Sequence, residues 1–131
     1  MMVRPQLADV KILLVEGHPA LREAITDYLS YQGAEVRCYS SPDDASVGID
    51  FSPHILLCEI KTPAQGAFLL LKNLRRRSVN QTDLKIQAVG LSGLSSSADE
   101  RKVLAAGFNA VLQKPFGPAE LLHLLSRLLS R

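Results

Sequence analysis

Four polar side chains stand at or near the ends of short apolar segments, where they could share one crevice. Glu16 follows the first apolar run, Glu59 lies within a later one, and Ser92 and Lys114 follow two more. Carboxylate oxygens are hard ligands for cations such as Mg²⁺, whereas the lysine ammonium is a compact cation that suits phosphate. A hydroxyl adds a hydrogen-bond donor. These residue types point to binding of a hard cation, a phosphoryl group or both, provided that one fold brings them together.

The segments that must position these side chains alternate between strand and helix patterns. Apolar runs rich in β-forming residues predict five strands, and helical spacing between them predicts five helices. This alternation predicts a parallel sheet with helices on both faces. The carboxyl ends of such strands line the functional crevice, which places the four polar side chains at one edge. The predicted strands are residues 11–15, 35–39, 54–60, 86–91 and 110–113.

Capping and turn residues mark where several helices begin and end. Gly33 is a natural stop for the first helix. Ser41 can cap the second helix, with Pro42 at its first position. Ser97 and Glu100 match a capping box at the start of the fourth helix. The fifth helix is predicted from about residue 118, and polar or serine-rich loops are predicted at residues 78–83 and 92–96.

The length and charge of the chain are typical of one globular domain and give no general reason to expect binding of nucleic acid. Of the 131 residues, 47% are apolar and 21% charged, and the net charge is +2 without a long block of one sign. We predict an N-terminal extension at residues 1–10 and one domain at residues 11–131. The basic run at residues 75–77 is interpreted as a helix end that points into water, with contact to a partner as the alternative.

The chain shows no signal-peptide pattern and no apolar run long enough to span a bilayer. Cys38 and Cys58 lie far apart in strand-like runs, where free cysteine behaves as a small hydrophobe. This usage suits a reducing compartment. The cytoplasm is therefore the expected location, without attachment to a membrane.

Five short motifs follow one another in a fixed order along nearly the whole chain: residues 11–16, 57–63 with Gly66, 90–93, 106–110 and 114–116. Together they resemble the receiver domain of bacterial response regulators. The resemblance implies a doubly wound (βα)5, flavodoxin-like fold with a five-stranded parallel sheet in the order 2-1-3-4-5. In that family a histidine kinase passes a phosphoryl group to an aspartate at the end of strand three, and an acidic pair after strand one holds Mg²⁺.

The resemblance assigns roles to five residues of this sequence. Lys114 falls on the lysine that contacts the acyl phosphate, and Pro115 on a proline that usually follows a cis bond. Ser92 falls on the switch hydroxyl, although it could instead only bond local backbone. Glu16 falls on the first acid of the metal-binding pair, and Glu59 on the phosphate-accepting aspartate.

Four positions depart from the family pattern. Gly17 replaces the second acid of the pair, so one expected metal ligand is lost. Glu59 carries its carboxylate one methylene further out, and a misplacement of about 1 Å can cost ~10²-fold in rate. Val111 stands where many relatives place a switching Tyr or Phe, and Thr62 where a methionine commonly precedes the proline. We expect no cofactor, since Mg²⁺ would have only Glu16 and Glu59 as acidic ligands.

These departures predict a pseudo-receiver that acts through protein contacts, without a phosphorylation cycle and without enzymatic activity. Glu59 is expected to form a fixed ion pair with Lys114. Its alternatives are a hydrogen-bonded carboxylate in a wet crevice or a surviving phosphate acceptor. His18, beside Gly17, is interpreted as a solvated loop residue, with a metal or phosphate role as the alternative. A working but atypical phosphoacceptor and, more remotely, a flavodoxin-like enzyme are the rival functions.

The last helix predicts an interaction surface. Its leucines cover about 160° of the helix circumference at 3.6 residues per turn, more than the ~100° that a core-facing stripe needs. The excess predicts either a deeply packed helix or a surface for a partner. Candidate partners are a histidine kinase, an output domain, or a second copy bound through the fourth- and fifth-helix face. The leucines are Leu121, Leu122, Leu124, Leu125, Leu128 and Leu129.

Overall fold

A five-stranded parallel sheet forms the centre of the protein. The structure is a computed structural model that describes residues 5–78, 85–93 and 97–130. The strand order is β2-β1-β3-β4-β5, which confirms the predicted fold class and order. The predicted and observed strand bounds agree within one residue. The strands are β1 (Lys11–Val15), β2 (Glu35–Tyr39), β3 (Ile55–Ile60), β4 (Gln87–Ser92) and β5 (Ala110–Gln113).

Helices follow each strand in the described part of the chain. The second predicted helix is short, because after four α-helical residues the chain continues as a 3-10 helix, Ser46–Phe51. That stretch contains glycine and β-branched residues, which are poor α-helix formers. The helices are α1 (Pro19–Tyr31), α2 (Pro42–Ala45), α3 (Gln65–Ser78), α4 (Ser97–Ala105) and α5 (Pro118–Leu129).

Helix ends follow the predicted signals in most places. Ser41 accepts a hydrogen bond from the Asp44 backbone N–H and caps α2. Gly33 adopts a φ of 99° just after α1, a left-handed conformation that favours glycine. Ser97 is itself the first residue of α4 rather than its cap. Of the two predicted loops, residues 78 and 92 instead end α3 and β4, and residues 79–83 and 94–96 lie outside the described residues.

The core lies on both faces of the sheet. Ile12 and Leu14 of β1 pack with α1 and α5, whereas Leu13 and Val15 pack with α3 on the opposite face. Successive side chains of a strand point to opposite faces, so a strand buried on both sides needs an unbroken apolar run. This explains why β1 is apolar from Ile12 to Val15 and β3 from Ile55 to Cys58, before Glu16 and Glu59 at the carboxyl edge.

Most of the wide apolar face of α5 packs against the core of the molecule. Leu121, Leu125 and Leu128 are buried, and Leu122, Leu124 and Leu129 are partly buried against the same core. A deeply packed helix therefore accounts for the wide leucine stripe.

The two cysteines differ in their surroundings. Cys58 is fully buried in β3, and burial raises the pKa of its thiol to about 12. Cys38 is exposed on β2, so only Cys58 behaves as the small hydrophobe expected for both. Neither cysteine forms a disulfide.

Arg75 corrects the interpretation of the basic run. Its guanidinium does not point into water but donates hydrogen bonds to the backbone oxygens of Gly107 and Ile86 and to Asn109 Oδ1. The same Asn109 oxygen accepts the backbone N–H of Ala88. Arg75 thus ties α3 to the segments that lead into β4 and β5.

The segment before β1 packs against the domain. Leu7 is 0% exposed within the core beside α1 and α5, and its backbone N–H donates to the Gln32 carbonyl at 2.9 Å. The predicted extension therefore contributes to the core through its second half.

Leu7→Ala should destabilise the protein by about 2–4 kcal/mol, because it opens a cavity among buried side chains. Urea denaturation followed by circular dichroism measures this change. Leu69→Ala, at a side chain that is 58% exposed on α3, is the matched control and should change stability by less than about 0.5 kcal/mol. Equal effects of the two variants would contradict a structural role for this segment.

Candidate functional site

One lysine joins two carboxylates at the carboxyl edge of the sheet. Lys114 Nζ lies 2.7 Å from Glu16 Oε1 and 2.7 Å from Glu59 Oε2. Glu16 is completely buried, whereas the Glu59 and Lys114 side chains keep 15% and 21% exposure. The predicted Glu59–Lys114 ion pair is therefore confirmed, and Glu16 makes it a three-residue network.

The remaining oxygen of each carboxylate is held by the loop between β1 and α1. The backbone N–H of Gly17 donates to Glu59 Oε1 at 3.1 Å, and that of His18 donates to Glu16 Oε2 at 2.9 Å. Buried carboxylates need such partners, because an unpaired buried charge is costly. The β1–α1 loop and Lys114 together fix both side chains from opposite sides.

The electrostatics of the network favour its charged form. Burial alone would raise the pKa of Glu59, but hydrogen bonds from Lys114 and Gly17 outweigh it and lower this pKa below its ordinary value. Burial alone would lower the pKa of Lys114, but hydrogen bonds to Glu16 and Glu59 raise it above its ordinary value. The ion pair is therefore present over the whole neutral range.

Lys61 brings a second ammonium group to Glu59. Its Nζ lies 3.5 Å from Glu59 Oε1, and its side chain is 70% exposed. The chemical interpretation of the sequence gave Lys61 no role. Alternation along an extended chain could have revealed it, since residues 59 and 61 point to the same side. Two glutamates and two lysines now balance in charge at this edge.

An open crevice of about 350 Å³ leads to Glu59 from solvent. It lies between the segment after β2 and the segment after β3. Its lining includes Ser40, Pro42, Asp43, Lys61 and Thr62.

The other residues assigned by resemblance lie around this network. Ser92 ends β4, is 2% exposed, and its carbonyl accepts the Lys114 backbone N–H at 2.8 Å. The bond between Lys114 and Pro115 is cis. Val111 is half-buried in β5, opposite Gly90 of β4.

His18 has a role as a helix cap that the sequence did not predict. Its Nδ1 accepts the backbone N–H of Leu21 at 3.3 Å, so His18 caps α1. Histidine is not among the preferred capping residues, which is why the sequence gave no such signal. Among the residues that the structure describes, no group of three or more His, Cys, Asp or Glu side chains could hold a metal ion.

The arrangement of a five-stranded parallel sheet with acids, a hydroxyl and a lysine at its carboxyl edge defines a class of signalling domain. The response regulator receiver domain family matches residues 12–126. The chain belongs to this family. Receiver domains work with histidine kinases and output domains and typically bind Mg²⁺ at the phosphorylation site.

Several relatives carry regulatory names. The chain is 28% identical to transcriptional regulatory protein CssR of Bacillus subtilis over 118 residues, which is 90% of this chain and 50% of CssR. It is 29% identical to probable transcriptional regulator ycf29 of Pyropia yezoensis, with 92% and 54% covered. An uncharacterized 14.6 kDa protein of Leptolyngbya boryana is 27% identical, with 92% and 91% covered. The chain thus spans about half of two of these relatives.

Solved structures with the same fold include further receivers. The BeF3-activated receiver domain of Klebsiella pneumoniae RstA has a TM-score of 0.71 and 27% identity, with 90% of this chain and 96% of that chain covered. Chemotaxis protein CheY4 of Vibrio cholerae has a TM-score of 0.77 and 23% identity, with 92% and 98% covered. The second likeness shows the fold alone.

These findings identify a receiver domain of two-component signalling, a family of signalling domains. No helix in the described part of the chain has the length and apolar character to cross a membrane.

The lowered pKa of Glu59 predicts a specific pH dependence of stability. Because this pKa lies below its unfolded value of about 4.3, the folded state gains stability above that pH and loses it as the pH falls through the folded value. Glu59→Gln should destabilise the protein by about 2 kcal/mol at pH 7, and the difference from the parent should shrink below about pH 4. Urea denaturation at a series of pH values from about 3 to about 8, which brackets the unfolded-state pKa, provides the measurement.

Glu23→Gln, at an exposed carboxylate on α1, serves as the matched control and should leave the curve nearly unchanged. A destabilisation by Glu59→Gln that persists undiminished into acid would show that the carboxylate charge contributes nothing to the fold.

Proposed function

We propose that this protein is a pseudo-receiver, a receiver domain that transmits signals through protein contacts without being phosphorylated. The main support for this proposal is the position of Lys114, whose ammonium lies 2.7 Å from both Glu16 and Glu59. In an ordinary receiver the corresponding lysine must be available to the phosphoryl group. Here two carboxylates already bind it.

The same contacts argue against Glu59 as a nucleophile. Its two oxygens accept hydrogen bonds from Gly17 and Lys114, which stabilise the carboxylate in place. Phosphoryl transfer depends on positioning and on neutralisation of developing charge. Gly17 supplies no carboxylate for Mg²⁺, so a main source of that neutralisation is weakened. The network instead holds this edge in one arrangement, as phosphorylation does transiently in other receivers.

The rival function, an atypical phosphoacceptor, is favoured by one observation. The Glu59 side chain keeps 15% exposure and borders the open crevice, so a small phosphodonor can reach it. Accessibility alone does not supply the missing metal ligand.

Incubation with acetyl phosphate and Mg²⁺, followed by intact-protein mass spectrometry, tests the proposal. We expect no phosphorylated species, because Glu59 and Lys114 are bound to each other and one acidic ligand is absent. A receiver with an aspartate acceptor, treated in parallel, shows that the donor is active. A phosphoryl adduct on the parent protein that disappears in Glu59→Gln would refute the pseudo-receiver.

The protein contacts themselves belong to the proposal. We place the contact surface on the fourth- and fifth-helix face, with a second copy of the chain as the occupant. Leu104 on α4 is 41% exposed and offers an apolar contact, whereas the α5 leucines are mostly packed in the core. Candidate heterologous partners are a histidine kinase or an output domain. The free cysteines suit a cytoplasmic site of action.

Leu104→Glu should weaken self-association by about tenfold or more, because it places a charge in an apolar contact. Sedimentation equilibrium over a range of protein concentrations measures the effect. Leu69→Glu alters a more exposed leucine on α3 and should leave self-association unchanged. A parent protein that stays monomeric at every concentration would rule out the homodimer.

A further inference from the structure

The position of the missing acid is taken by a lysine ammonium. A Cβ built on Gly17 would lie 2.9 Å from Lys61 Nζ and 3.2 Å from Glu59 Oε1. A separation of 2.9 Å is too short for a real Cβ contact. A side chain at residue 17 would therefore displace the Lys61 ammonium, the end of a flexible side chain, from its present place. The glycine and the lysine are complementary in space.

We infer that the Lys61 ammonium replaces the divalent cation of an ordinary receiver, as a counterion tethered to the chain. The inference deepens the proposed pseudo-receiver function and rests on it. Glu16 and Glu59 carry two negative charges, and Lys114 balances one of them. Lys61, 3.5 Å from Glu59, supplies the second positive charge that a metal would otherwise bring.

This arrangement fits a divalent cation poorly. Mg²⁺ requires near-octahedral oxygen coordination, whereas the two glutamates here already bind Lys114 and backbone N–H groups. An incoming ion would also meet the positive charge of Lys61. Repulsion between charges a few ångströms apart is substantial even at an effective dielectric constant of about 20. Lys61 is 70% exposed and can leave, but its departure costs its contact with Glu59.

The inference predicts which substitution controls metal binding. Gly17→Asp restores the absent acid, but the flexible and 70% exposed Lys61 side chain would shift and pair with the new carboxylate. Metal affinity should therefore remain low in this variant. Removing the ammonium in addition leaves three carboxylates against one lysine, a net negative site with a free acidic ligand. The double variant Gly17→Asp, Lys61→Gln is expected to bind a divalent cation.

Isothermal titration calorimetry with Mn²⁺ tests this on the full chain, in the parent, both single variants and the double variant. The double variant should bind Mn²⁺ about tenfold or more tightly than Gly17→Asp alone. Gly17→Asp with Lys72→Gln is the matched control, since Lys72 is an exposed lysine on α3, and it should bind no better than Gly17→Asp. Circular dichroism establishes that each variant is folded, and Lys61→Ala replaces Lys61→Gln if a variant is not.

Equal Mn²⁺ affinity of Gly17→Asp and the double variant would overturn the role of Lys61, and so would tight binding by the parent. The result is separate from the proposed function, because calorimetry detects the metal directly while mass spectrometry detects phosphorylation of Glu59. A parent that is phosphorylated without measurable Mn²⁺ binding would refute the pseudo-receiver and leave the tethered counterion standing.

Discussion

The cation of Lys114, shared between two carboxylates, is the constraint on which the rest of this edge depends. Burying Glu16 completely at the end of β1 is costly unless a positive charge compensates it, and Lys114 provides that charge. The same lysine reaches Glu59 on β3. Residues after β1, within β3 and after β5 are therefore fixed relative to one another by one side chain. A buried ion pair is weak evidence of stability by itself, but it strongly restricts the positions of its members.

The predictability of this protein differs between its framework and its site. Strands β1 and β3 were predictable because each contains four consecutive apolar residues, a pattern typical of a strand buried on both faces. The site residues were predictable because polar side chains at the carboxyl ends of parallel strands lie at one edge of the sheet. The surroundings of Arg75 were predicted wrongly because a run of basic residues at a helix end normally faces water. The neighbouring sequence gives no sign that backbone carbonyls of distant segments accept hydrogen bonds from its guanidinium.

Two other features also depended on distant neighbours. The burial of Leu7 in the core beside α1 and α5 is a property that only the assembled fold defines. Lys61 lies within a motif, but its role depends on the absence of a side chain at Gly17. Sequence patterns report periodicity well, whereas complementarity between two residues 44 positions apart, the difference between 61 and 17, is a property of the folded chain.

The Arg75 hydrogen bonds have a mechanical consequence for the domain. They join α3 to Gly107 and Asn109, just before β5, and β5 ends next to Lys114. Sliding α3 along the sheet would break several directional bonds at once. A molecule that binds and displaces α3 would therefore act on the start of β5, the strand that leads to the central lysine.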